Sequence, residues 1–178
     1  MLLSKRLCLR SLERSDLTET YKEWMNDFEV TRYLEIRFKP HSLDSLVEYW
    51  QEHHADPSSP WFAICRLDTN SHIGNIKLGP INWIHRRADL SIFIGDRSSW
   101  GQGYASEAIS LVRDWAFREL DLQKLNAGMC ELNLPSRKAF EKCGFSLEAT
   151  LREEAIYFGK RENVIRLGLP RTCWMPNS

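Results

Sequence analysis

Nothing in this chain of 178 residues approaches the roughly 20 consecutive apolar residues that a membrane-crossing helix needs. Charge of one sign is not in excess either: 24 basic residues stand against 24 acidic ones. A general nucleic-acid binder carries a basic surplus, so neither a nucleic acid nor a membrane is expected as partner. Cysteine is scarce and odd in number. Cys8, Cys65, Cys130, Cys143 and Cys173 are widely spaced and lie mostly inside apolar segments, which excludes a disulfide framework and reads as the reduced thiols of a cytoplasmic protein. The opening Met1-Leu2-Leu3-Ser4-Lys5-Arg6 is charged too early for a signal peptide, in keeping with that compartment. His41, His53, His54, His72 and His85 show no metal-ligand spacing, so no metal is expected. Gly159-Lys160 lacks the rest of a nucleotide P-loop. Repeats, low-complexity tracts and linkers are all missing, and the length suits a single domain over 1–178.

What is present is a succession of short periodic segments. Arg6 to Arg10 alternates as a strand, and Leu17 to Met25 repeats at helical spacing behind Ser15 as N-cap. A second helix is predicted from Ser42 or Leu43 to His53. Trp61–Leu67 and Ile73–Leu78 flank a turn-forming cluster, Asp68-Thr69-Asn70-Ser71, and Asp89–Ile94 makes a further strand. From Gly103 the period becomes helical, with Ala105, Ala108, Ile109, Val112, Trp115 and Ala116 in one stripe. Lys124–Glu131 alternates again. Asn133 then caps a short helix running to about Cys143 and Gly144, and Phe145–Leu151 and Val164–Leu169 form a last strand pair with Gly159-Lys160 near the turn. The order predicts an α/β fold of the α+β kind, a mixed sheet with helices on both faces.

The segment with the most chemistry is the loop after Ile94. A strand, a glycine-containing turn and a helix bring unpartnered amides and the positive end of a helix dipole to one place, which favours an anion. Gly101 and Gly103 let backbone come close to a diphosphate.

The stretch Asp89 to Ala108, centred on Trp100-Gly101-Gln102-Gly103-Tyr104-Ala105-Ser106-Glu107-Ala108, resembles the coenzyme A motif of the GNAT acetyltransferase superfamily. Asn133-x-x-Ser136 with Ala139-Phe140-Glu141-Lys142-Cys143-Gly144-Phe145 looks like its second block. The opening Arg6-Leu7-x-Leu9-Arg10-x-Leu12-x-x-x-Asp16-Leu17 is similar to the RimJ/RimL branch. That resemblance implies a mostly antiparallel sheet of about seven strands, splayed between its fourth and fifth, with the pantetheine arm of acetyl-CoA in the opening. It places the coenzyme on Phe93, Ile94, Trp100, Gly101, Gln102, Gly103, Tyr104, Ala105, Asn133, Ser136 and Phe140. Ser98 departs from the Gln or Arg usual three places before the first glycine, with Arg97 one position earlier.

The implied reaction is direct attack of an amine on the thioester. Asp89 is the first candidate for the base and Glu131 the second. Many relatives have a tyrosine acid where this chain has Phe140, which has no transferable proton, so the role moves to Ser136, with Tyr157 more remote. Tyr33, Glu35 and Arg37 match the acceptor-lining region: Glu35 would suit a cationic amine, Arg37 an anionic group. The acceptor expected is a small amine, a polyamine or amino sugar. The alternatives are a protein N-terminus and a silent acetyl-CoA-binding domain. Relatives suggest a monomer or homodimer.

Overall fold

A computed structural model describes residues 1–175. Eight strands form one sheet: β1 (Leu2–Leu3), β2 (Leu7–Ser11), β3 (Trp61–Arg66), β4 (His72–Leu78), β5 (Arg87–Ile94), β6 (Lys124–Cys130), β7 (Ser146–Tyr157) and β8 (Lys160–Pro170), in the spatial order β1-β2-β3-β4-β5-β6-β8-β7. The expected seven become eight because Leu2 and Leu3 pair with Leu9 and Cys8 as an additional edge. Two residues cannot display a period, so no sequence pattern announces them.

Alternation along β2 assigns the two faces. Leu7 and Leu9 point into a core closed by α4 (Tyr104–Arg118) and α5 (Leu134–Lys142), where Ile109, Val112, Phe117 and Phe140 are buried. Cys8 turns to the opposite face, under α1 (Glu19–Asn26) and α3 (Leu43–His53), where Tyr21, Met25 and Leu46 pack on Ala63 and Cys65. α3 spans the range expected for the second helix, and Ser42 is its cap. Ser15 does not cap α1. It sits inside a 3-10 turn, Arg14–Asp16, and Thr18 is the cap. The reason is Asp16, whose carboxylate is held by two hydrogen bonds from Arg10 (2.7 and 2.6 Å) and one from the Glu13 amide (2.8 Å). Securing that buried charge delays the helix by a few residues.

All neighbouring strands run antiparallel except β5 and β6. These two are parallel because α4 carries the chain back across the sheet between them, and antiparallel hairpins cannot do that. They pair only where Arg87, Ala88 and Asp89 face Lys124, Leu125 and Asn126, and beyond that they part. This is the splay expected between the fourth and fifth predicted strands, displaced by one in number. The last hairpin is longer than its apolar residues suggest. β7 is exposed along most of its length, and its charged stretch Arg152-Glu153-Glu154 is a bulge without alternation, after which backbone pairing resumes at Ala155 and runs to the turn at Phe158 and Gly159. Both turn residues have positive φ (53° and 76°), as a two-residue hairpin loop requires.

Candidate active site

Where β5 and β6 part, a cleft of about 620 Å³ opens. One wall is the free edge of β5. Gly79 N–H donates to Asp89 O and Gly95 N–H to Ile73 O, so the odd-numbered residues of β5 turn their main-chain groups toward β4. Alternation then directs the main-chain groups of Ile92 and Ile94 to the empty edge. Ile92, Phe93 and Ile94 all line the cleft. Of these, the Ile94 carbonyl accepts from Trp100 Nε1 at 2.8 Å, which leaves the Ile92 and Ile94 amides as donors for a linear ligand or a developing oxyanion.

The floor is the loop into α4. Asp96 accepts from the Ser98 amide, Ser98 Oγ and Ser99 Oγ at 3.0, 2.7 and 2.6 Å. Burial opposes its charge, but these donors outweigh that and hold its carboxyl below the usual range. Gly101 and Gly103 have φ of 73° and 82°, and a Cβ at Gly101 would meet nothing within 4 Å. The amides of Gly101, Gln102 and Gly103 donate to no acceptor among the described residues. Arg6 braces the loop from outside, donating to Gln102 O (3.1 Å) and to Glu107 in the first turn of α4 (2.8 Å). The result is a cradle of free amides at a helix N-terminus, suited to a diphosphate and fitting acetyl-CoA.

The expected coenzyme residues Trp100, Gly101, Gly103, Tyr104, Ala105, Asn133 and Ser136 all line this cleft. Asn133 also caps α5, its Oδ1 accepting from the Ser136 amide at 3.3 Å. Two expected contacts lie elsewhere. Gln102 does not line the cleft; its side-chain amide closes the loop on Ser98 O at 2.7 Å. Phe140 is 2% exposed and packs edge-on against Phe145 in the core, because α5 needs an apolar anchor there.

The candidate bases also stand outside. Asp89 lies where β5 and β6 are still paired, half-exposed and 3.8 Å from Arg166. Glu131 accepts from Asn163 Nδ2 at 2.8 Å, tying the end of β6 to β8. Neither reaches the cleft wall, since each is held on the paired side of its strand.

The acceptor end is built by a segment that the sequence left without a helix: α2 (Phe28–Thr31) and a following 3-10 turn, Glu35–Phe38. Tyr33 lines the cleft and donates to Leu132 O at 3.3 Å, bridging the opening to the β6–α5 connection. Its ring meets Tyr157 and Phe158 at 6.1 and 5.8 Å. Arg37 is not free for an anion. It donates to Leu34 O (2.7 Å) and Ile156 O (2.6 Å) and lies over the Tyr157 ring, clamping this segment to the β7–β8 hairpin. Glu35 is exposed and accepts from the Tyr157 hydroxyl at 3.5 Å. Burial, assisted by Glu35, pushes the Tyr157 phenol up and keeps it protonated. Four charged residues line the cleft, and sequence reasoning had singled out none of them for it: Glu29, Arg32, Lys138 and Lys142. The first two sit in or beside a four-residue helix too short to be foreseen. The lysines are legible as a pair four apart in the Asn133–Phe145 block.

A splayed sheet, a free strand edge and an amide cradle define an acyltransferase that draws its acyl group from coenzyme A. Residues 6–146 match the acetyltransferase (GNAT) domain, and the chain belongs to that family. It is an acetyl-CoA-dependent N-acetyltransferase. Among its relatives, the spermidine N(1)-acetyltransferase of Vibrio cholerae is 29% identical over 176 residues, covering 99% of each chain. That of Escherichia coli K12 is 32% identical over 160 residues, or 89% of this chain and 83% of the relative. A crystal structure of the Vibrio cholerae spermidine N-acetyltransferase in complex with CoA and spermine superimposes with a TM-score of 0.86 at 29% identity, covering 96% of this chain and 98% of that one. The Vibrio enzyme has also been solved as a dodecamer, with a TM-score of 0.79.

Proposed function

We propose that this enzyme acetylates a polyamine. The observation that carries the reading is the composition of the acceptor end. Glu29 is the only carboxylate lining the cleft among the described residues, and Glu35 stands beside the rings of Tyr33, Tyr157 and Phe158. A polyamine is a chain of ammonium groups joined by methylenes. Carboxylates answer its charge, and aromatic faces answer both the methylenes and the cation. The commitment of Arg37 to carbonyls removes the group that would have suited a phosphorylated sugar. The names of the Vibrio and Escherichia relatives support the same class.

The chemistry then divides among a few groups. An amine with a lysine-like pKa is neutral in fewer than about 1 in 2,000 molecules at pH 7, a handicap of about 4–5 kcal/mol. Glu29, 3.2 Å from Arg32, is the cleft group placed to attract the ammonium and receive its proton. The free amides of β5 stabilise charge on the carbonyl oxygen, and Ser136 is the hydroxyl nearest in kind to a donor for the departing thiolate.

The test is release of free thiol from acetyl-CoA, followed with spermidine, spermine, glucosamine and short peptides with free N-termini. The polyamines should give the highest kcat/KM by at least about tenfold. Faster turnover of peptides would replace the reading with N-terminal acetylation. Coenzyme binding without turnover of any acceptor would identify a silent domain.

A further inference from the structure

We propose that Cys8 and Cys65 form a reversible oxidation site, a thiol pair that a small disulfide such as oxidised glutathione converts into a bond between β2 and β3. The pair lies under α1 and α3, on the opposite face of the sheet from α4, and is independent of which amine the enzyme acetylates.

The chain separates these two residues by the whole span from α1 to α3, and strand register brings them together. Cys8 is directly opposite Cys65 in the antiparallel ladder, so both side chains leave the same face, and both pack in the layer beneath α1 and α3. No other two cysteines face each other on neighbouring strands among the described residues. Cys130 is opposite Val164, Cys143 follows α5, and Cys173 is exposed in a 3-10 turn. The kind of pair matters as well. Leu12 N–H donates to Trp61 O and Leu67 N–H to Arg6 O. Alternation along the ladder then makes Cys8 and Cys65 a hydrogen-bonded pair, with Cα atoms about 5.5 Å apart. That separation falls within the roughly 4.4–6.8 Å that disulfides span. Side chains of such a pair stand further apart than those of the alternate, closer pairs, so the bond forms under strain and is readily reduced. A labile bond of this kind fits a protein whose five cysteines are otherwise free.

The two thiols differ in a way that orders the chemistry. Cys8 is partly exposed, with only the two-residue β1 outside it, whereas Cys65 is buried. Burial pushes the Cys65 thiol up, against a smaller opposing effect of Arg10. Cys8 is therefore the thiol that meets the oxidant. Its thiolate attacks one sulfur of the glutathione disulfide and expels a glutathione thiolate, leaving a mixed disulfide. Cys65 then gives up its proton, attacks the Cys8 sulfur and releases the second glutathione. Two protein thiols are oxidised, one glutathione disulfide is reduced, and the two protons end on the two glutathione thiols. The new bond closes the loop that contains α1, α2 and α3, and with them Glu29 and Tyr33 of the acceptor end. Closing so long a loop restricts the unfolded chain.

The test is incubation of the full chain with oxidised and reduced glutathione in rising ratio, alkylation of the remaining thiols, and mass spectrometry of the tryptic fragments. The fragment Leu7–Arg10 should appear linked to the fragment ending at Arg66, and dithiothreitol should release both. Thermal unfolding of the oxidised protein should shift upward by on the order of 5 °C. Cys65→Ala should stop at glutathione attached to Cys8, and Cys8→Ser should leave Cys65 unmodified. Where a variant fails to fold, the linked fragment in the unsubstituted protein decides alone. Glutathione on Cys8 with Cys65 still free in the unsubstituted protein, a bond made only through Cys173, or five thiols that persist at every ratio would each overturn the assignment.

Discussion

Ser136 and Phe140 are one helical turn apart, and the structure separates them by function. Phe140 anchors α5 in the core against Phe145, while Ser136 faces the cleft. If Ser136 protonates the leaving thiolate, Ser136→Ala should lower kcat by about a hundredfold and leave the calorimetric affinity for CoA unchanged; a change in affinity alone would make it a binding residue. The opposite outcome is expected at Asp89. Its carboxylate faces Arg166 at the closed end of the sheet, so Asp89→Asn should keep kcat/KM within about twofold and leave its pH profile unmoved, as general-base catalysis requires reach to the proton. The type and spacing of Ser136 were legible in the sequence. That Asp89 lies on the paired part of β5 and off the cleft lining was not legible there, because a residue's position along a strand says nothing about where that strand leaves its neighbour.

The element that decides coenzyme binding is the loop between β5 and α4. Several of its side chains hold the loop backbone in shape: Asp96 on two serines, Gln102 on Ser98 O, Trp100 on Ile94 O. Gly101→Ala places a Cβ in open space but at φ 73°, a conformation costing about 1 kcal/mol for an L-residue. Chemical denaturation should show that small loss, while coenzyme affinity, which depends on close approach of the backbone, should fall by at least about tenfold. Ser98, which departs from the family pattern, is accounted for here: its carbonyl receives Gln102 and its amide and hydroxyl reach Asp96, so it belongs to the bracing rather than to the ligand contacts.

At the scale of the molecule, a polar layer lies beneath α1 on the face away from α4. Asp16 is desolvated, which disfavours its charge, but Arg10 and the Glu13 amide prevail and hold its carboxyl below the usual range. His72 packs against Tyr21 and Trp24, with Nε2 against Gly74 O (2.9 Å) and Asn75 Oδ1 (2.7 Å), and burial depresses its pKa. Both shifts act in one direction. The unfolded chain takes up protons first, so each group contributes stability that is present above its unfolded pKa and lost as pH falls. The urea midpoint should therefore decline in two stages, the first below about pH 6.5 from His72 and the second below about pH 4 from Asp16. His72→Gln should remove the first stage and spare the second; a decline of equal size in that variant would assign it to other groups.

The sequence by itself determined the family, the order of its main elements and the anion-binding loop, because these rest on local matters: hydrophobic period, capping residues and glycines at positive φ. Long periodic segments such as α4 came through nearly unchanged. The charged half of β7 and the two-residue β1 did not, since β7 is exposed on both faces and bulged between Leu151 and Ala155 and β1 is too short, so neither leaves a period of its own. The cleft belongs to tertiary structure alone. Only the parting of β5 from β6 shows that Ile92 and Ile94 offer their amides and Asp89 does not. Only the docking of α2 and the 3-10 turn on the hairpin commits Arg37 and brings Glu29 to the wall. Which residues face one another across an opening depends on where distant segments meet, and that is settled by the burial of a common core.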